Sequence, residues 1–175
     1  MDLRKYIRSV QDYPKKGILF RDITTLIKDK DAFKECIDQM SKILMKLNFE
    51  KIASIESRGF VFASALCYNL SKSLILMRKK DKLPAAKYSQ EFKLEYGKAT
   101  LELHKDSVIP EEKILIIDDL IATGGTAEAG AKLVEKSGGI VAGFIFVINL
   151  FDLGGRKLLE DKGYKTFSLI DFPGH

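Results

Sequence analysis

The chain has 175 residues, 46% of them apolar and 30% charged, with 13 glycines and 4 prolines. That length suits one domain able to bury about 70% of its unfolded surface, and the composition excludes disordered and fibrous classes. The net charge of +5 suits an anionic partner, either a phosphate ligand or nucleic acid, or else a solvated lysine-rich surface.

The longest apolar stretch, residues 138–148, is too short for a membrane span, which needs roughly 18 residues. Asp2, Arg4 and Lys5 stand where a signal peptide would place its basic region, but no apolar core follows them. The expectation is a soluble, unexported, cytoplasmic protein with no membrane partner. Cys36 and Cys67 are far apart among helical-looking apolar residues, and they read as buried reduced thiols. His104 and His175 are the only histidines, so a His-built zinc site or a Ser-His-Asp triad is hard to assemble.

Phe33, Ile37, Met40, Leu44 and Leu47 recur at helical spacing and predict a helix over residues 31–47. Strands are predicted over 51–55, 73–77, 113–117, 140–148 and 164–169, and helices over 59–70, 127–136 and 154–161. Short apolar strands alternating with helices imply βαβ units, hence an α/β fold with a mainly parallel central sheet flanked by helices. Residues 78–106 break the rhythm: β-prone stretches at 88–96 and 98–103 bend at Gly97. Such an antiparallel excursion is either a flexible active-site lid or a plain surface hairpin.

The most informative stretch is 114–126. A buried strand delivers Asp118 and Asp119 to its carboxyl end, and Thr123-Gly124-Gly125-Thr126 then opens a helix. Glycines let backbone N–H groups approach a ligand closely, and the helix N-terminus favours an anion. Carboxylates beside that cradle would repel a phosphate unless they face hydrogen-bond donors, and ribose hydroxyls are such donors. The pattern therefore fits a ribose 5-phosphate. Paired aspartates at a strand end also build magnesium and phospho-acceptor sites, and a Gly-Gly turn can be a plain helix start. No lysine follows the glycines as in a Walker loop, and Gly-x-Gly-x-x-Gly is absent.

This stretch resembles the 5-phosphoribosyl-1-pyrophosphate (PRPP) signature of the type I phosphoribosyltransferases. Four further segments follow in the order of the adenine-specific branch of that family: residues 7–23, Glu56-Ser57-Arg58-Gly59-Phe60, residues 78–84 and residues 94–98. The resemblance spans nearly the whole chain. It implies the type I fold in one domain, residues 1–175, with a base-binding segment at 1–27 and a lid insertion at 78–106. It also implies purine salvage, with adenine and PRPP giving AMP and pyrophosphate.

The resemblance carries roles onto individual residues. Ala122, Thr123, Gly124, Gly125 and Thr126 would hold the 5′-phosphate, and Asp118 and Asp119 the ribose hydroxyls. Glu56, Ser57 and Arg58, with Arg78, Lys79 and Lys82, would receive pyrophosphate, and Arg58 is also a catalytic candidate. Locally, 56–59 also has a lesser reading as a capped helix start, and the basic cluster alone is more often a solvated turn. Asp81 departs from the family, which often has glycine there. Glu95 would act as general acid towards purine N7. Leu19 and Arg21 would read adenine through main-chain groups while Phe20 stacks on it. Mg²⁺ would enter with PRPP, with no direct protein ligand, and a homodimer is implied. A 6-oxopurine enzyme and a PRPP-binding regulator are the rivals. The first typically uses a lysine that residues 144–152 lack, and the second adds a nucleic-acid-binding domain.

Overall fold

Apolar strand sequences that run without alternation need cover on both faces, and the fold supplies it. The computed structural model describes residues 1–94 and 97–175. In chain order the elements are β1 (Arg8–Gln11), β2 (Leu19–Asp22), α1 (Thr24–Lys28), α2 (Lys30–Leu44), β3 (Lys51–Ile55), α3 (Gly59–Leu70), β4 (Ser73–Lys79), β5 (Lys87–Lys93), β6 (Lys98–His104), β7 (Lys113–Ile121), α4 (Gly125–Lys136), β8 (Ile140–Leu150), α5 (Gly155–Asp161) and β9 (Thr166–Phe172).

Seven strands form one sheet in the order β5-β6-β4-β3-β7-β8-β9. Strands β4, β3, β7, β8 and β9 are parallel, while β6 runs antiparallel to β4 and β5 antiparallel to β6. Along β7, Leu115 and Ile117 pack with Met40, Phe62 and Leu66 of α2 and α3 on one face. Ile114 and Ile116 pack with Leu133 and Val134 of α4 on the other. Period-two alternation into two cores is what makes the sequence read as unbroken apolar. Asp29 starts α2 by accepting from the N–H groups of Asp31 and Ala32. Cys36 and Cys67 are buried, and desolvation pushes their thiols up to about 12 and about 11.

Several boundaries differ from the sequence reading. Helix α2 ends at Leu44 rather than 47, because the N–H groups of Lys46 and Leu47 bond three residues back and tighten the last turn. Strand β7 runs to Ile121, four residues past the predicted 117, because β8 pairs with it as far as Ile121↔Asn149. The last strand begins at Thr166, where it meets Phe144, and runs to Phe172. A two-stranded hairpin of β1 and β2, unread in the sequence, precedes the main sheet.

The 78–106 excursion is an antiparallel hairpin rooted in the sheet edge. Strand β6 pairs with β4 at Arg78↔Glu102 and Lys79↔Leu101, and Leu101 and Leu103 are buried. Buried Glu102 ties three pieces together. It accepts from the Asp81 N–H at 3.0 Å and the Ser89 hydroxyl at 3.3 Å, and it pairs with the Lys87 ammonium at 3.2 Å. Leu103→Ala is expected to lower unfolding free energy by about 2–5 kcal/mol, measured by urea denaturation. Unchanged stability would show that the hairpin stands apart from the core.

The order of connections positions the site. From β3 the chain moves through α3 to β4 on one side, and it returns to β7 on the other. Ligands of open α/β sheets bind at such a switch point, beyond the carboxyl ends of the strands. Pairing between β3 and β7 stops at Ser54↔Ile117, so the crevice opens where Asp118 begins.

Candidate active site

The loop of residues 122–126 leaves β7 and enters α4 through Gly124, whose φ of +89° is a left-handed conformation that favours glycine. The first-turn N–H groups of α4 have no partner within the helix. They face a cavity of about 220 Å³, shared by Arg58, Asp118, Asp119 and this loop.

The two carboxylates sit differently. The Asp118 side chain accepts from the Asp119 N–H at 2.8 Å. Desolvation, and then the neighbouring Asp119 charge, push its carboxyl well above the usual range. Asp119 is buried, and desolvation raises its carboxyl while Arg58 opposes the shift. Arg58 Nε lies 3.0 Å from Asp119 Oδ2, but the pair is not aligned as a hydrogen bond, so this buried oxygen is left without a donor. Such an atom is an open acceptor for a ligand hydroxyl. Gly59 makes the fit possible: a Cβ there would stand 2.8 Å from Asp118 Oδ1 and 3.1 Å from its Cα.

A second cavity, of about 260 Å³, adjoins the first and is lined by Glu56, Ser57, Arg58, Lys79 and both aspartates. Glu56 accepts from the Lys79 N–H at 2.9 Å and from Arg78 Nε at 3.2 Å. Burial lifts its carboxyl, but these bonds and charges outweigh burial and hold it below the usual range. The Glu56 carboxylate thus fastens the basic strand end beside Ser57 and Arg58. Lys80 and Lys82 stand exposed on the following turn. Asp81 has a φ of +64°, which accounts for a glycine preference there. Among the described residues its carboxylate joins no ion pair.

A third and larger cavity, of about 800 Å³, lies between the N-terminal hairpin and the loop and is lined by Leu19, Leu150, Leu153, Ala122 and Thr123 among others. The Phe20 ring lies 5.1 Å from the Arg58 guanidinium. The Arg21 side chain is buried, donating to the Ser9 hydroxyl and to the Pro173 carbonyl at 2.5 and 2.9 Å. It braces the hairpin through its two terminal nitrogens, and its buried Nε has no hydrogen-bond partner. The three cavities meet through Arg58, Ala122, Thr123 and Thr126.

Residues 23–174 match the phosphoribosyl transferase domain family. The chain is 64% identical, over the whole of both sequences, to an adenine phosphoribosyltransferase of Pelagibacter ubique (strain HTCC1062). The chain belongs to the adenine phosphoribosyltransferase family. It is therefore a transferase of adenine salvage that draws on PRPP. The crystal structure of the Thermoanaerobacter pseudethanolicus member superposes with a TM-score of 0.94 at 47% identity, covering 98% of each chain. The Saccharomyces cerevisiae member, solved with an imino-altritol bisphosphate and adenine, superposes at 0.89 with 29% identity, covering 97% of each chain.

Against that background Leu19, Glu56, Ser57, Arg58, Lys79, Asp118, Asp119 and residues 122–126 line three joined cavities at one switch point, whereas Phe20, Arg21, Arg78 and Lys82 line none of them. Glu95 lies outside the described residues. Sequence reasoning missed Gly155, which backs the phosphate loop. Its N–H donates to the Ala122 carbonyl at 2.9 Å, and a Cβ there would lie 2.3 Å from that oxygen and 2.7 Å from the Gly124 nitrogen. The Gly154-Gly155 pair was the available signal. Among the described residues, no cluster of three or more His, Cys, Asp or Glu side chains is placed to hold a metal.

Proposed function

We propose that the chain joins adenine to PRPP in these three cavities, giving AMP and pyrophosphate. Residues 122–126 hold the 5′-phosphate, Asp118 and Asp119 accept from the ribose hydroxyls, and Ser57, Arg58, Arg78 and Lys79 receive pyrophosphate. Lys82 approaches from the turn. Glu56 contributes by fixing Arg78 and Lys79. Leu19, Phe20 and Arg21 border the base, read through main-chain groups of the first and third. The observation that carries this reading is the buried Asp119 carboxylate, whose Oδ2 is ion-paired with Arg58 but accepts no hydrogen bond, beside an anion-seeking helix start.

Purine N9 attacks the anomeric carbon as the bond to pyrophosphate breaks, and the electron pair departs with the leaving group. The helix start and the guanidinium groups stabilise charge that already has fixed partners, so catalysis rests on positioning and electrostatics. Mg²⁺ suits a site of this chemistry, since it is commonly bound through substrate phosphates while keeping several waters. Carried by PRPP, it would neutralise leaving-group charge, while Asp118 and Asp119 would hold the ribose hydroxyls.

Glu95 is proposed to manage the proton on N7, donating it when AMP is cleaved and receiving it when AMP forms. Glu95→Ala is expected to lower kcat about 10²-fold with PRPP affinity nearly intact. An unchanged single-turnover rate removes Glu95 from the chemistry.

The reading is tested by incubating the protein with PRPP, Mg²⁺ and, separately, adenine, hypoxanthine or guanine. Nucleotide is expected from adenine alone; turnover of a 6-oxopurine would overturn the assignment of the base. A cytoplasmic homodimer is proposed as the working assembly. Free buried thiols accord with a reducing compartment, and helix α3 leaves Val61 and Tyr68 exposed at 40% and 91%. No helix among the described residues is long and apolar enough to cross a membrane.

A further inference from the structure

We propose that Lys93, at the end of β5, is an additional ligand of the 5′-phosphate; this rests on the reading that residues 122–126 bind that group. The signature loop carries no cation of its own, whereas a phosphate monoester brings nearly two negative charges near neutral pH. The charged groups already at the loop do not balance it. Asp118 and Asp119 share its cavity. Arg58 is engaged with Asp119. Glu128, in the first turn of α4, is neutralised by Lys132 and Lys162, each at 3.1 Å. Backbone N–H groups and two threonine hydroxyls would be left to hold a dianion beside two carboxylates.

Lys93 is placed to correct that balance. Its carbonyl oxygen lies only 3.4 Å from where a Cβ on Gly125 would stand, so β5 runs against the loop. The residue lines the large cavity together with Ala122 and Thr123. It also lines a smaller one, of about 310 Å³, together with Gly125 and Glu128. Lys93 therefore borders the loop from both flanks. Its side chain is exposed, and among the described residues its ammonium joins no ion pair. A four-carbon stem with three rotatable donors suits a phosphate that arrives and leaves. Lys16 also lines the large cavity, but no such backbone contact with the loop accompanies it.

The test compares binding of AMP, adenosine and pyrophosphate by calorimetry, with steady-state kinetics alongside. Lys93→Met is expected to weaken AMP about tenfold, the effect of one charge-assisted bond at a partly solvated site. Adenosine and pyrophosphate should bind as before, and KM for PRPP should rise while KM for adenine holds. Lys93→Arg should recover most of the loss, and Lys42→Met, on the exposed face of α2, should leave AMP affinity near its starting value. Equal losses for AMP and adenosine would mean that Lys93 only shapes the cavity, overturning the assignment. Thr126→Val is measured in parallel. If it weakens AMP while Lys93→Met does not, the loop stands as the phosphate site and Lys93 is dismissed from it. If neither variant changes AMP binding, the loop reading fails and takes the Lys93 assignment with it.

Discussion

The double variant Asp118→Asn, Asp119→Asn is expected to lose PRPP affinity by about a hundredfold or more while remaining folded. Each buried charge-assisted hydrogen bond to a ribose hydroxyl is worth about 1.5–3 kcal/mol, and an amide oxygen replaces only part of it. Stability should move the other way. Both carboxyls are raised in the folded protein, mainly by desolvation, so the native state binds protons more tightly than the unfolded chain. Stability conferred by this pair is therefore lost as pH rises from the unfolded carboxylate range through the raised range. Above that raised range the wild type carries the penalty of two ionised neighbours, and the double amide does not. Denaturation followed as pH rises should accordingly find the variant gaining on the wild type. In the same raised range, wild-type affinity for PRPP should fall as the pH is lowered. Calorimetry showing ordinary PRPP binding by the double variant would refute the ribose assignment.

Gly155→Ala is expected to lower kcat/KM for PRPP about a hundredfold, because a displacement of about 1 Å at a reacting geometry can have that effect. The new methyl would overlap the Ala122 carbonyl at 2.3 Å and the Gly124 nitrogen at 2.7 Å, and both atoms belong to the loop that grips phosphate. The loop cannot retreat freely, since a Cβ on Gly124 would itself sit 3.0 Å from Gly155. The overlap should also lower stability by about 1–3 kcal/mol, the usual effect of overpacking. Gly154→Asn is the control. Its φ is +77° with open space around it, and asparagine tolerates that conformation. AMP affinity should fall for the first variant and hold for the second. A Gly155→Ala protein that binds AMP normally would show that α5 does not support the loop.

What could be read from the sequence was whatever is contiguous in the chain. The acidic pair and the Thr-Gly-Gly-Thr turn lie within nine residues of one another, so strand, turn and helix start are all local signals. The alternation of β3, α3 and β4 was legible for the same reason. What escaped depends on partners distant in sequence. The extension of β7 past Ile117 follows from β8, which pairs with Ile121, while two aspartates in an apolar run look like a strand's end. Gly155 is informative only once α5 is folded against Ala122. Glu56 read as a pyrophosphate neighbour, yet its carboxylate is occupied by the Lys79 N–H and Arg78, groups that β4 brings to it. Asp81 reads as a departure from glycine, and only its backbone angle shows that the turn places it in a left-handed conformation.

Glu102 has a kinetic consequence. Because one buried carboxylate bonds the basic turn at Asp81 and the first hairpin strand at Lys87 and Ser89, turn and strand are held to one another. Egress of the diphosphate product and any displacement of the hairpin should then share a single time constant in a stopped-flow trace. Glu102→Gln should split that trace into two phases, and two phases already present in the unaltered protein would show the linkage to be slack.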